Sequence, residues 1–185
     1  MIARPTDTGY TGIHVQHDGH PSHHLPLLLT AYQYRFERDT EALSQHLIDE
    51  VPIAWAEIGT DLLDGAPTAL LTALTGGKRW PSRTMDNVIT TDGSPPVRML
   101  ETEMSVEDSD TEWVYVLHQH GIEVISAPYM SVGAVVDWDT DPRSAFSDHP
   151  FHWAPGAVPV ITPRTTEQAA PAAAPPAATA APRAR

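Results

Sequence analysis

Five of the ten histidines in this 185-residue chain fall between His14 and His24. His17, Asp18, His20, His23 and His24 follow one another through one short polar stretch. Imidazole and carboxylate are zinc ligands, and a catalytic zinc site takes three of them and leaves a position for water. The spacing His17–His20–His23 crosses a loop and a helix start, unlike the single helical face of an H-E-x-x-H motif. The same side chains would serve equally as a polar binding rim, because a helix N-terminus presents free amides and favours anions. A third reading is a polar turn that caps the helix and meets solvent. His118 and His120 enrich the set if the fold brings them alongside. Metal therefore stays open, no cofactor is implied and no catalytic residue is assigned.

Lys78, Arg79 and Trp80, with Arg83, form the one basic cluster of the expected folded part. Cations beside an aromatic face can hold a phosphate and stack a base. The preceding glycines do not make a phosphate loop, since Thr72 stands where its first Gly is needed and Arg79 replaces Ser or Thr. The alternative role is a helix C-terminus whose cations meet the macrodipole. Asp137, Asp139 and Asp141 resemble the opening of a calcium loop, but Pro142 and Asp148 stand where an EF-hand needs Gly and Glu. Asp141 is better read as the cap of a turn opened by Pro142. The ten acids between Arg98 and Arg143, uninterrupted by Lys or Arg, read as a solvated face or as a mimic of a phosphate backbone. The chain has no cysteine, no G-x-S-x-G and no G-x-G-x-x-G, so common nucleophile and dinucleotide signatures are absent.

These residues need elements to hold them. Ile13 and Val15 alternate with His14 and Gln16 as in a half-buried strand, here read as Gly12 to Gln16. Asp18-Gly19 supplies turn chemistry. Leu25, Leu28, Leu29, Tyr32 and Phe36 then recur on one helical face. Ser22 is a plausible N-cap, Pro26 is expected near the helix start, and Asp18 is expected to cap the helix. A second helix follows from Glu41 to about Glu50, and a third opens at Pro67 and stops at Gly76-Gly77. The later half reads as strands: 87–91, 97–104, a hairpin of Trp113–Leu117 with Ile122–Ile125, and 133–138. The expected fold is α+β, an antiparallel sheet with amphipathic helices packed on one face. Leu28, Leu29, Tyr32, Phe36, Leu70, Leu74, Val114, Val116 and Ile125 are the expected core. Residues 1–11 are expected to be a flexible arm, 12–161 a single domain and 162–185 a disordered Ala/Pro-rich tail.

A net charge of −13 disfavours direct binding to nucleic acid or to an anionic membrane. No run approaches the roughly 18 apolar residues of a membrane span. With no apolar leader and no cysteine, a cytoplasmic setting is expected.

The order strand, His17, Asp18-Gly19, His20, Pro21, helix resembles a W-D-G-Y-P-like loop of small uncharacterised phage, prophage and actinobacterial proteins. Asp18, Gly19 and Pro21 match, while His17 and His20 occupy the aromatic positions. The late hairpin is similar too. The resemblance spans less than half the chain and implies setting and fold but no activity. The combined expectation is a non-catalytic accessory or binding protein that recognises a small anionic ligand or a protein partner. The alternatives are a metal-dependent hydrolase using the His/Asp loop and an acidic decoy for a nucleic-acid-binding protein.

Overall fold

A computed structural model describes residues 1–85, 92–95, 97–106 and 109–157. The expected strand at 87–91 and the tail at 162–185 lie outside the described residues, as do Glu107 and Asp108 of the acidic run. The fold is α+β. Six strands form one sheet: β1 (Ile2–Thr6), β2 (Gly9–Ile13), β5 (Leu100–Thr102), β6 (Trp113–His118), β7 (Gly121–Ser126) and β8 (Ala134–Asp137). Their order is β5-β2-β1-β6-β7-β8. A separate two-stranded ribbon pairs β3 (Trp55–Glu57) with β4 (Arg83–Thr84). The helices are α1 (Pro21–Thr30), α2 (Thr40–Ser44), α3 (Thr68–Thr75) and α4 (Glu103–Val106).

The N-terminal residues are where the structure departs most from the sequence reading. They are no arm: β1 occupies an interior position of the sheet, antiparallel to β2 and parallel to β6. The parallel ladder joins Ile2 to Tyr115 and Ala3 to Val116, so the sheet is mixed rather than wholly antiparallel. Ile2 and Ala3 are buried completely. Pro5 has no N–H for a ladder, and it lies beyond the two residues that pair with β6. At Gly12 an added Cβ would lie 2.1 Å from the Ile2 carbonyl oxygen, so glycine permits the close approach of β1 and β2.

Period-2 alternation divides β6 between two apolar clusters. Trp113, Tyr115 and Leu117 face the larger one, which holds Leu25, Leu28 and Leu29 of α1 and Leu43 of α2. Val114 and Val116 face a smaller one with Met1, Ala3, Tyr10 and Ile125. The hairpin forms as its sequence implies, with a two-residue turn between His118 and Gly121. Of the expected core, Phe36 and Leu74 are partly buried against the large cluster and the other seven residues are buried. Helix α1 starts earlier than expected, with Pro21 in its first turn, which leaves Pro26 inside the helix. It continues as a π-helical turn, Ala31–Arg35, as α2 does through Gln45–Asp49. Asp39 caps α2 by accepting from the Glu41 and Ala42 amides at 2.9 and 3.0 Å.

The interior position of β1 has a direct consequence. Ile2→Ala should lower stability by about 2–5 kcal/mol, the usual cost of truncating a fully buried aliphatic side chain. Urea unfolding measures this, and an unchanged midpoint would mean that β1 is not part of the sheet.

Candidate functional site

Because β2 runs antiparallel to β1, and β1 parallel to β6, the chain leaves β2 beside the start of β6. His14, Val15 and the loop 16–20 therefore stand next to Trp113. Val15 bridges to Trp55, and His17 donates its amide to the Ala56 carbonyl at 3.1 Å, which anchors the loop from behind. Between this loop, β5 and residues 109–113 lies a cleft of about 860 Å³.

The cleft is built on a polar chain that the sequence did not single out. His14 Nδ1 lies 3.0 Å from Glu101 Oε1, and Thr111 donates its hydroxyl to Glu101 Oε2 at 3.0 Å. Partial burial pushes the Glu101 carboxyl up, but the bonds from His14 and Thr111 outweigh it and hold the pKa below its usual 4.5. With Glu101 ionised, His14 donates through Nδ1, and its Nε2 has no protein partner among the described residues. The Met1 amine, buried, donates to the Trp113 carbonyl at 2.8 Å. Burial lowers its pKa from 8.0 to about 5, against the pull of Glu101, so it is neutral near pH 7.

His14 paired to a carboxylate has the form of a general base. Among the described residues lining the cleft no hydroxyl is free to act as its nucleophile. Thr111 is bonded to Glu101, and the Ser109 hydroxyl donates to the Val106 carbonyl at 3.2 Å. Among the described residues no three His, Asp or Glu side chains are arranged to hold a metal ion.

The candidate residues do not meet in one place. His17, Asp18 and His20 line the cleft and are exposed. His118 and His120 lie at the opposite end of β6, in the hairpin turn. There His118 Nε2 is 3.0 Å from Glu123, and the two imidazole centroids are 5.3 Å apart. His23 faces another way again, with its ring 6.0 Å from that of Trp80. Lys78 and Arg79 are exposed and do not line the cleft.

The α1 N-terminus, the expected anion site, already holds an anion. Asp148 accepts the Ser22 amide and the Ser22 hydroxyl, both at 2.8 Å. Asp18 makes no capping bond. It sits at φ +57°, the left-handed turn conformation that Asp tolerates, and lines the cleft. Asp141, by contrast, accepts the Arg143 amide at 2.9 Å, as expected of a turn cap.

His24 is fully buried, and among the described residues neither of its ring nitrogens has a hydrogen-bond partner. Its ring meets the edge of Tyr115 at 5.2 Å, and the Tyr115 hydroxyl donates to the Gly19 carbonyl at 2.6 Å. Burial drives the His24 pKa well below 6.5. The Met1 amine, His23 and His20 push the same way, and the Gly19 carbonyl opposes them.

Comparison of the chain with protein-family models, curated proteins and solved structures gave no match.

Two outcomes follow. Asp148→Ala should cost about 0.5–2 kcal/mol as the loss of a helix cap, and Asp18→Ala should leave the urea midpoint nearly unchanged. The reverse ranking would return the cap to Asp18. The second outcome concerns pH. Below 6.5 the unfolded chain protonates His24 and the folded chain does not, so folding loses stability as pH falls from 6.5 towards the depressed folded value. The Met1 amine acts in the same direction between pH 8.0 and about 5. His24→Leu should therefore remove about one proton's share of the slope, about 1.4 kcal/mol per pH unit. Parallel stability profiles for the two proteins across pH 7 to 5.5 would contradict the burial of a neutral His24.

Proposed function

We propose that this chain is a non-catalytic binding protein whose cleft takes a small cationic ligand, an amine or a guanidinium. The observation that carries the reading is the composition of the cleft wall. Asp18, Glu101, Asp110 and Glu112 line it, and among the described residues no lysine or arginine does. The one amine present, that of Met1, is neutral near pH 7 and does not offset those carboxylates. A cleft lined by one sign of charge raises the local concentration of the opposite ion. His14, His17 and His20 add hydrogen-bonding capacity, and the net charge of −13 acts in the same direction.

The anionic ligand expected from sequence rested on the α1 N-terminus and on Lys78 and Arg79. Asp148 occupies the first, and the other two lie outside the cleft. An accessory role in a cytoplasmic, phage or actinobacterial setting belongs to the same proposal. It is supported by the cysteine-free composition and by the loop and hairpin resemblance. Among the described residues no helix is long and apolar enough to cross a membrane.

Titration calorimetry with spermidine, and separately with pyrophosphate, tests the reading. Spermidine should bind, more weakly as salt rises, and Asp110→Asn should weaken it by roughly three- to ten-fold, the scale of one exposed or partly buried charge pair. Binding of pyrophosphate with spermidine silent would overturn the proposal.

A further inference from the structure

The polar chain of the cleft has one open end. Thr111 donates to Glu101 Oε2 at 3.0 Å, and His14 Nδ1 lies 3.0 Å from Oε1, so each carboxylate oxygen already has a donor. Partial burial raises the Glu101 pKa, but these two bonds hold it below its usual 4.5, so near pH 7 the group is ionised and can only accept. The proton between the two residues therefore sits on His14 Nδ1, and in the neutral ring Nε2 carries a lone pair. The unpaired ring nitrogens of His23 and His24 are closed to solvent. His14 Nε2 is not among those sealed atoms, and its side chain lines the cleft with 19 % of its surface exposed.

This acceptor is fixed in place. The His14 amide donates to the Met99 carbonyl at 3.2 Å, and the His14 carbonyl accepts the Trp55 amide at 3.0 Å. Gly12, two residues earlier, lies opposite Glu101 in the β2–β5 ladder. The period-2 spacing of a strand then puts the imidazole on the same face as that carboxylate. Thr111, the last link, is buried. The remaining lining points to the kind of cation. A quaternary ammonium has no N–H and is held by the faces of aromatic rings. Among the described residues lining the cleft, Trp113 alone is a Phe, Tyr or Trp, and it is buried in the large apolar cluster.

We infer that the cleft selects cations that carry N–H, namely primary or secondary ammonium groups and guanidinium, against quaternary ammonium, and that His14 Nε2 accepts the hydrogen bond that decides between them. The inference rests on the reading of the cleft as a cation site. Asp18, Asp110 and Glu112 are exposed and draw in either kind of cation by charge. A ligand N–H pairs with Nε2, whereas a methyl group in the same place takes water from that nitrogen and returns no bond.

Calorimetry at pH 8, above the range in which an imidazole ordinarily titrates, compares putrescine with its bis(trimethylammonium) analogue, equal in charge and chain length. Putrescine should bind more tightly by about ten-fold or better, the value of one charge-assisted hydrogen bond. His14→Asn keeps an N–H for Glu101 and has no atom at the place of Nε2. It should cut the preference by that same factor and leave the affinity for the analogue nearly unchanged. Nitrogen NMR of the wild-type imidazole reads the same point without a variant: His14 should carry its proton on Nδ1, and putrescine, unlike the analogue, should shift Nε2. Equal affinities, a preference that survives in folded His14→Asn, or a His14 proton on Nε2 would overturn the inference and leave the cation reading standing. If neither cation binds, both fall.

Discussion

Ile2 lies opposite Tyr115 and Ala3 opposite Val116, and from this short parallel ladder the placement of every functional group follows. It puts the start of the chain inside the sheet, where the Met1 amine bonds the Trp113 carbonyl. Through β2 it delivers His14 and the loop after it to the same end of β6. Tyr115, the partner of Ile2, reaches that loop and bonds the Gly19 carbonyl. The fully buried Ile2 and Tyr115 side chains belong to the large apolar cluster, and the Tyr115 hydroxyl ties that core to the loop that lines the cleft. The same ladder sends His118 and His120 to the far end of β6, so the histidines belong to separate surfaces.

Electrostatics separates these surfaces further. The cleft is a wall of carboxylates with one buried, neutral amine. The cavity of about 130 Å³ between α1 and α3, lined by His23, Leu27, Leu74 and Trp80, has no carboxylate among its described lining residues. At the start of α1 Asp148 accepts the Ser22 amide, and the His20 carbonyl accepts the His23 and His24 amides at 3.0 and 2.9 Å. A protein that supplies its own anion there removes the commonest reason for a helix N-terminus to bind one. The helix end becomes a joint that fixes His20 on one side and His23 on the other.

What could be read from sequence tracks the range of the interactions involved. The β6–β7 hairpin follows from alternation and a short turn, and α1, α2 and α3 follow from apolar spacing and stop signals. All are local. β1 was invisible because Arg4-Pro5-Thr6 has the look of a polar arm, and its partner β6 lies more than a hundred residues away. Asp18 looked like the cap because it is near in sequence, whereas the true cap comes from 126 residues away. The pairing of His14 with Glu101 depends on the register of β2 against β5, and both residues were within strands expected from sequence. Their types gave a hint of chemistry, but only the ladder brings them together. His17, Asp18 and His20 line one cleft because one short loop holds all three.

The division of the polar residues between opposite ends of β6 can be measured directly. The chain has no cysteine, so spin labels on His17→Cys and His120→Cys report a single distance by pulsed electron resonance. Five residue steps along β6 separate Trp113 from His118, which sets a separation of roughly 17 Å or more. A distribution centred beyond that value agrees with two separate surfaces. One centred below about 10 Å, on the scale of side chains sharing one site, would place the two histidine groups in a single cleft and contradict the account.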